Sequence, residues 1–158
     1  MVSISGLTCL VCSSFCTHTC DSLVMMMCCL SDTGGEVEYR PLVEGFLKAT
    51  DAVIVGFGVD SRKSFEEVDE FLELAQRYSE VVVVVGNKRD IYDAREVDEQ
   101  EARNHFENKN PPIRYYETSA KTGENVKTVI EYVVREWFVR GNPKKVNQTS
   151  SKHKCIIS

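Results

Sequence analysis

Runs of consecutive apolar residues along this chain alternate with segments in which apolar positions recur at every third or fourth place. Residues 52–59 and the five valines of residues 81–85 are continuous apolar runs, as expected for strands buried on both faces of a parallel sheet. Residues 23–30 also have the length of a strand, and a further strand is predicted from residue 113. The alternation of these runs with helical patterns predicts an α/β fold with a parallel sheet flanked by helices.

Helical spacing is found in four segments, which are residues 40–49, residues 64–78, residues 98–110 and residues 123–140. Ser64 and Glu67 form a capping box that predicts the start of the second helix. Asp98 and Glu101 repeat this signature for the third. The apolar stripes of the second and fourth helices are predicted to face the core; they consist of Phe65, Val68, Phe71, Leu72 and Ala75, and of Val126, Val129, Ile130, Val133, Val134 and Trp137.

A polar segment follows the valine run and contains Gly86, Asn87, Lys88, Arg89 and Asp90. In open α/β sheets, ligands bind beyond the carboxyl ends of the strands. We expect the Asp90 carboxylate to accept two parallel hydrogen bonds from adjacent N–H groups of guanine, a donor pair that adenine lacks. Asn87 would hold the loop together and reach the base edge, and the Lys88 stem would cover the face of the ring. The alternative is a simple turn, in which such residues are common.

A second polar loop follows the strand predicted from residue 113, and it runs from Glu117 through Lys121. The small side chain of Ala120 would let its backbone N–H approach the guanine O6 atom closely. The hydroxyl of Ser119 could brace the two loops by bonding Asp90. Both loops are therefore predicted to contact one base.

Together the two loops, NKRD at residues 87–90 and ETSAK at residues 117–121, resemble the guanine-recognition pair of Ras-type small GTPases. The resemblance implies a P-loop NTPase-like fold, GTP or GDP and Mg²⁺ as ligands, and exchange factors, GTPase-activating proteins and effectors as partners. It also implies the residues that bind the nucleotide, namely Asn87, Lys88, Asp90, Ser119, Ala120 and Lys121.

Residues 31–36 (SDTGGE) resemble the Asp-Thr-Ala-Gly-Gln segment of the same family. The resemblance implies that Asp32 holds magnesium through water and that the Gly35 N–H contacts the γ-phosphate. Glu36 replaces the glutamine that positions the attacking water. A carboxylate cannot donate a hydrogen bond to the γ-phosphate and adds negative charge beside it, so slow intrinsic hydrolysis is predicted. The alternative is a glycine-rich turn.

The first 31 residues differ in composition from the rest, because they contain six of the seven cysteines and all four methionines. The family's phosphate loop, Gly-x-x-x-x-Gly-Lys-Ser/Thr, does not occur in residues 1–158. We therefore expect an incomplete or aberrant N-terminus at residues 1–31, with the first strand and phosphate loop missing or replaced, and a partial GTPase domain at residues 32–140. Residues 7–12 (LTCLVC) could replace the missing strand. A Cys/His metal module in this segment is an alternative.

Charge divides the chain, because residues 32–140 hold 23 acidic and 15 basic residues whereas residues 141–158 hold four lysines and no acid. The acidic body argues against nucleic acid as a partner. The tail ends in Cys155-Ile156-Ile157-Ser158, which fits a prenylation signal. A prenyl group on Cys155 and the tail lysines would anchor the chain to the inner leaflet of the plasma membrane.

These observations predict a membrane-anchored signalling switch of Ras type that hydrolyses GTP to GDP. The absent phosphate loop leaves its catalytic competence open. The alternative is a prenylated, non-catalytic pseudo-GTPase that acts as a protein-interaction module.

Overall fold

The computed structural model describes the backbone of residues 8–20, 23–34, 40–48 and 50–140, and the side chains of residues 43–48 and 50–140. Its strands are β1 (Thr8–Cys20), β2 (Leu23–Gly34), β3 (Ala52–Gly58), β4 (Val81–Asn87) and β5 (Arg114–Glu117). Its helices are α1 (Arg40–Leu47), α2 (Arg62–Tyr78), α3 (Glu99–Glu107) and α4 (Val126–Val139). Among these described residues, no helix is both long and apolar enough to span a membrane.

The described strands form one sheet in the order β2-β1-β3-β4-β5. Strands β3, β4 and β5 are parallel and flanked by helices, which confirms the predicted P-loop NTPase-like α/β fold. Strand β1 lies between β2 and β3 and is antiparallel to both, with Thr8 opposite Gly34 on one side and Gly56 on the other. A strand that includes most of residues 7–12 therefore fills the position next to β3.

Alternate residues of the buried strands enter two separate hydrophobic clusters. On β4, Val84 packs with α2 and α3 residues, whereas Val81, Val83 and Val85 pack with Val129 and its neighbours on α4. Successive side chains of a strand point to opposite faces, so an unbroken valine run is required where both faces are covered. This burial holds the carboxyl ends of β3, β4 and β5 side by side.

The capping residues agree with the predictions at α3 but not at α2. Asp98 accepts hydrogen bonds from Gln100 N and Glu101 N, as predicted. The cap of α2 is Ser61, whose side chain accepts from the N–H of Ser64, so the predicted start at Ser64 was one turn late. Ser61 and Ser64 are both suited to an N-cap, and only the folded structure shows that Ser61 occupies this position.

The predicted core stripe of α2 is confirmed, because all five of its residues are buried. The stripe of α4 is confirmed only in part. Val129 and Val133 are buried, but Val126 is 41% exposed. Helical spacing determines which residues share a side of a helix, but it does not determine how far along that side the sheet extends.

Candidate functional site

Two polar loops meet at the carboxyl ends of β4 and β5. Gly86 pairs with Glu117 across the strands. The pairing continues beyond the strands, because Thr118 N donates to Gly86 O at 2.8 Å and Arg89 N donates to Thr118 O at 2.9 Å. The backbone ladder thus holds the two predicted recognition loops in contact with each other.

Asn87 joins the loops through its side chain. It is only 3% exposed, and its Oδ1 accepts from Ala120 N at 3.0 Å and from Thr118 Oγ1 at 3.4 Å. The expectation that Asn87 holds the site together is therefore met. The Ala120 N–H, which sequence analysis assigned to guanine O6, is already engaged with Asn87.

Asp90 and Ser119 form the shortest side-chain contact between the loops. The Ser119 hydroxyl donates to Asp90 Oδ1 at 2.6 Å, as expected, and also accepts from Thr122 N at 3.1 Å. Ser119 is fully buried. Its hydroxyl is the largest cause that lowers the pKa of Asp90, and Lys121, whose Nζ lies 3.7 Å from Asp90 Oδ2, lowers it further. These contacts hold the Asp90 carboxylate, a hydrogen-bond acceptor, in place at the junction of the two loops.

Lys88 occupies a sharp turn directly after β4. Its φ of 69° lies in the left-handed region, which is uncommon for a residue with a side chain. Its ammonium group contacts Asp60 Oδ2 at 2.6 Å, and Asp60 follows the carboxyl end of β3. Lys88 therefore links the loop to the neighbouring strand, a contact that sequence analysis did not predict.

A buried ion pair supports the second loop, and sequence analysis missed it. Arg95 donates to both carboxylate oxygens of Glu117 at 2.8 and 2.9 Å, and the Glu117 side chain is only 1% exposed. The hydroxyl of Tyr115 donates to the same carboxylate at 3.1 Å. Glu117 raises the pKa of Arg95 through this hydrogen bonding. A buried carboxylate requires a cation, but no sequence spacing shows that Arg95 supplies it.

The remaining predicted site residues fall partly or wholly outside the described region. Asp32 lies on β2, and its side chain is not described. Gly35, Glu36 and Cys155 lie outside the described residues, as do the side chains of the N-terminal cysteines. Within the described part of the chain, no group of three His, Cys, Asp or Glu side chains is placed to hold a metal.

Comparison with known proteins gives one consistent result. The model of the Ras family matches residues 12–138. Protein ras-1 of Neurospora crassa is 35% identical over 124 residues, which cover 74% of this chain and 55% of that protein. Ras-related protein Rab-27B of Bos taurus is 37% identical over 106 residues, covering 65% of this chain and 48% of that protein. The chain spans about half the length of these relatives. The match and the two interlocked loops agree, and the chain belongs to the Ras family of small GTPases.

Proposed function

We propose that this chain is a guanine-nucleotide-binding signalling protein of Ras type, in which the two loops at residues 87–90 and 117–121 recognise the base. The observation that carries the proposal is the Asp90 carboxylate, whose Oδ1 accepts a hydrogen bond from the Ser119 hydroxyl at 2.6 Å, a contact that lowers its pKa. An ionised carboxylate is an acceptor only, so it favours a ligand edge that presents adjacent donors.

Asp90 retains enough acceptor capacity for a base. A carboxylate offers about four lone-pair sites. Ser119 occupies one of them, which leaves acceptors for the N1–H and the exocyclic N2–H of guanine. The guanine O6 atom would share the Ala120 N–H with Asn87 Oδ1 in a three-centre hydrogen bond. Adenine presents no such pair of donors, so it would leave the remaining acceptor sites of Asp90 without hydrogen bonds from the base.

Base preference tests the proposal. Binding of guanosine and adenosine by Asp90→Ala is expected to show no guanine preference, whereas Asp93→Ala, in an exposed residue just after this loop, should bind as the unchanged chain does. Asp90→Asn is expected to acquire a new base preference. Its amide offers one acceptor and one donor, which match the N1–H and the C2 carbonyl of xanthine. We expect a switch toward xanthosine in a ligand-observed NMR competition. Unchanged discrimination between guanosine and adenosine in Asp90→Ala would refute the assignment.

Hydrolysis of GTP to GDP is a further part of the proposal, with Gly35 and Glu36 at the catalytic positions and Asp32 at the magnesium position by family resemblance. Glu36 is expected to make the reaction slow, because a carboxylate opposes the charge on the γ-phosphate. Exchange factors, GTPase-activating proteins and effectors are the proposed partners.

The membrane is the proposed location. Prenylation of Cys155 would attach the chain to the cytoplasmic face of the plasma membrane. One lipid chain gives only reversible binding, and the tail lysines, Lys144, Lys145, Lys152 and Lys154, would add attraction to anionic lipids.

A second candidate function is a non-catalytic interaction module. The direction of β1 favours it. A strand that supplies a phosphate loop ends at the ligand edge of the sheet, whereas β1 begins beside the carboxyl end of β3. Measured turnover of GTP by the purified chain separates the two functions. Release of phosphate above the rate of an Asp90→Ala control supports the switch. Guanosine binding without such phosphate release supports the module.

A further inference from the structure

Arg89 lies in the first recognition loop, at residues 87–90, and no role in base recognition has been assigned to it above. Its Nη1 atom lies 3.1 Å from Glu124 Oε1, and its Nε atom lies 4.0 Å from Glu117 Oε2. Its backbone N–H donates to Thr118 O at 2.9 Å. Arg89 therefore reaches the second recognition loop both at its start and just beyond its end.

The contact with Glu124 is the stronger of the two links that the Arg89 side chain makes. A separation of 3.1 Å allows a hydrogen bond, whereas 4.0 Å does not. The carboxylate of Glu117 is, in addition, already engaged by two hydrogen bonds from Arg95. The Arg89 guanidinium therefore acts chiefly on Glu124.

Glu124 is joined through its backbone to the residues that we propose contact the base. Its carbonyl oxygen accepts from Ser119 N at 3.1 Å, and Ser119 O accepts from Gly123 N at 2.8 Å. These bonds close the second loop on itself. An ion pair that holds Glu124 against Arg89 therefore also holds Ser119 and the adjoining Ala120.

The pair of Arg89 and Glu124 differs from the other side-chain links between the loops. The bonds from Ser119 to Asp90 and from Ala120 N to Asn87 use groups that the base would share. The guanidinium and the Glu124 carboxylate are not among those groups, so their pair can persist with and without a ligand. A loop that is already ordered before binding loses less conformational freedom when the ligand arrives.

We infer that Arg89 is a positioning residue for base recognition, and that its ion pair with Glu124 latches the second loop against the first. The inference rests on the proposed guanine recognition and adds to it a residue that acts through Glu124 and Ser119 rather than on the base. Both partners are partly exposed, with 36% and 49% of their side chains accessible, so the latch is expected to change affinity by a few fold and to weaken in salt.

A double-mutant cycle on the full chain tests the latch through the guanosine Kd. Arg89→Met and Glu124→Gln are each expected to weaken binding by about two- to fivefold, and the double variant by no more than the larger single loss, because all three remove the same pair. Lys109→Met removes a pair of similar length, 3.0 Å from Asp69, and should leave the Kd unchanged. Losses that multiply in the double variant, or an equal loss in Lys109→Met, would overturn the inference.

Salt dependence provides a second readout, which a purely structural role of Arg89 would not change. Guanosine is uncharged at neutral pH, so salt affects its binding through ion pairs of the protein. Between roughly 0.05 M and roughly 0.5 M salt, the affinity of the unchanged chain is expected to fall about twofold, and that of Arg89→Met to fall less. Equal salt dependence of the two chains, with the preference for guanosine over adenosine retained, would overturn the latch and leave guanine recognition intact. Absence of guanosine binding by the unchanged chain would overturn both.

Discussion

At the scale of single residues, Ser119 positions the Asp90 carboxylate that we propose recognises the base. It is fully buried, and its hydroxyl both donates to Asp90 and accepts from Thr122 N. A hydrogen bond to a charged group contributes roughly 1.5–3 kcal/mol. One small side chain therefore fixes the orientation of Asp90, lowers its pKa and closes the loop that carries Ala120.

Replacing Ser119 by Ala is expected to weaken guanosine binding by about tenfold, because Asp90 loses the hydrogen bond that orients it. The measurement is the guanosine Kd. Ser79→Ala is the matched control, since Ser79 is a buried serine that bonds Asp51 O and Val81 O at the opposite end of β4. An equal loss in both variants would indicate general destabilisation and contradict the specific role of Ser119.

The lowered pKa of Asp90 also predicts a pH dependence. A carboxyl group whose folded-state pKa is depressed stabilises the folded chain above its ordinary pKa, and this contribution is lost as the pH falls through the lowered value. Guanosine binding needs the ionised carboxylate, so the affinity is expected to persist at the ordinary pKa of 3.8 and to fall only as the pH drops through the lowered value. In Ser119→Ala the pKa of Asp90 should rise, so NMR titration of this carboxyl group should show a higher midpoint. An unshifted midpoint would assign the depression to Lys121 instead.

At the scale of elements, the close contact between β4 and β5 depends on Gly86. A Cβ added at Gly86 would lie 2.4 Å from the Tyr115 hydroxyl oxygen and 3.1 Å from Val59 Cγ1. Tyr115 is almost fully buried, and burial raises the pKa of its hydroxyl, which stays a neutral donor to Glu117. The absence of a side chain at Gly86 thus makes room for the group that helps hold Glu117.

Gly86→Ala is expected to lower the free energy of unfolding by about 1–3 kcal/mol, because Tyr115 must move within a packed core. Urea denaturation measures this change. Gly45→Ala on α1 is the control: nothing lies within 4 Å of its added Cβ, so the substitution should raise stability by roughly 0.5–1 kcal/mol through helix propensity. Equal stability of Gly86→Ala and the unchanged chain would contradict the close contact.

At the scale of the whole molecule, an acidic body and a basic tail predict different surroundings for the two parts. Residues 141–158 contain four lysines and no acid, and the body carries the excess of acids. Attraction of the tail to anionic lipids would hold the chain at the membrane while repulsion keeps the body in solution.

Cys155→Ser is expected to release the chain from membranes, because the lysines alone, at roughly 1 kcal/mol each, do not replace the lipid. Fractionation of cells that express each variant measures the bound share. Ser151→Ala, in the same tail, should remain bound. Membrane association retained in Cys155→Ser would contradict the lipid anchor.

Sequence alone determined the features that rest on local chemistry. The valine run predicted a strand covered on both faces, and Asp98 predicted the cap of α3. Such features depend on the residue and its near neighbours in the chain, so their pattern is visible without coordinates.

Only the tertiary structure decided the direction of β1, the choice of Ser61 as the α2 cap, and the pairing of Arg95 with Glu117. A strand has the same alternation of side chains whichever way it runs, so its pattern does not show whether it pairs parallel or antiparallel. Likewise, a buried carboxylate requires a cation, but the chain must fold before one distant arginine becomes its neighbour.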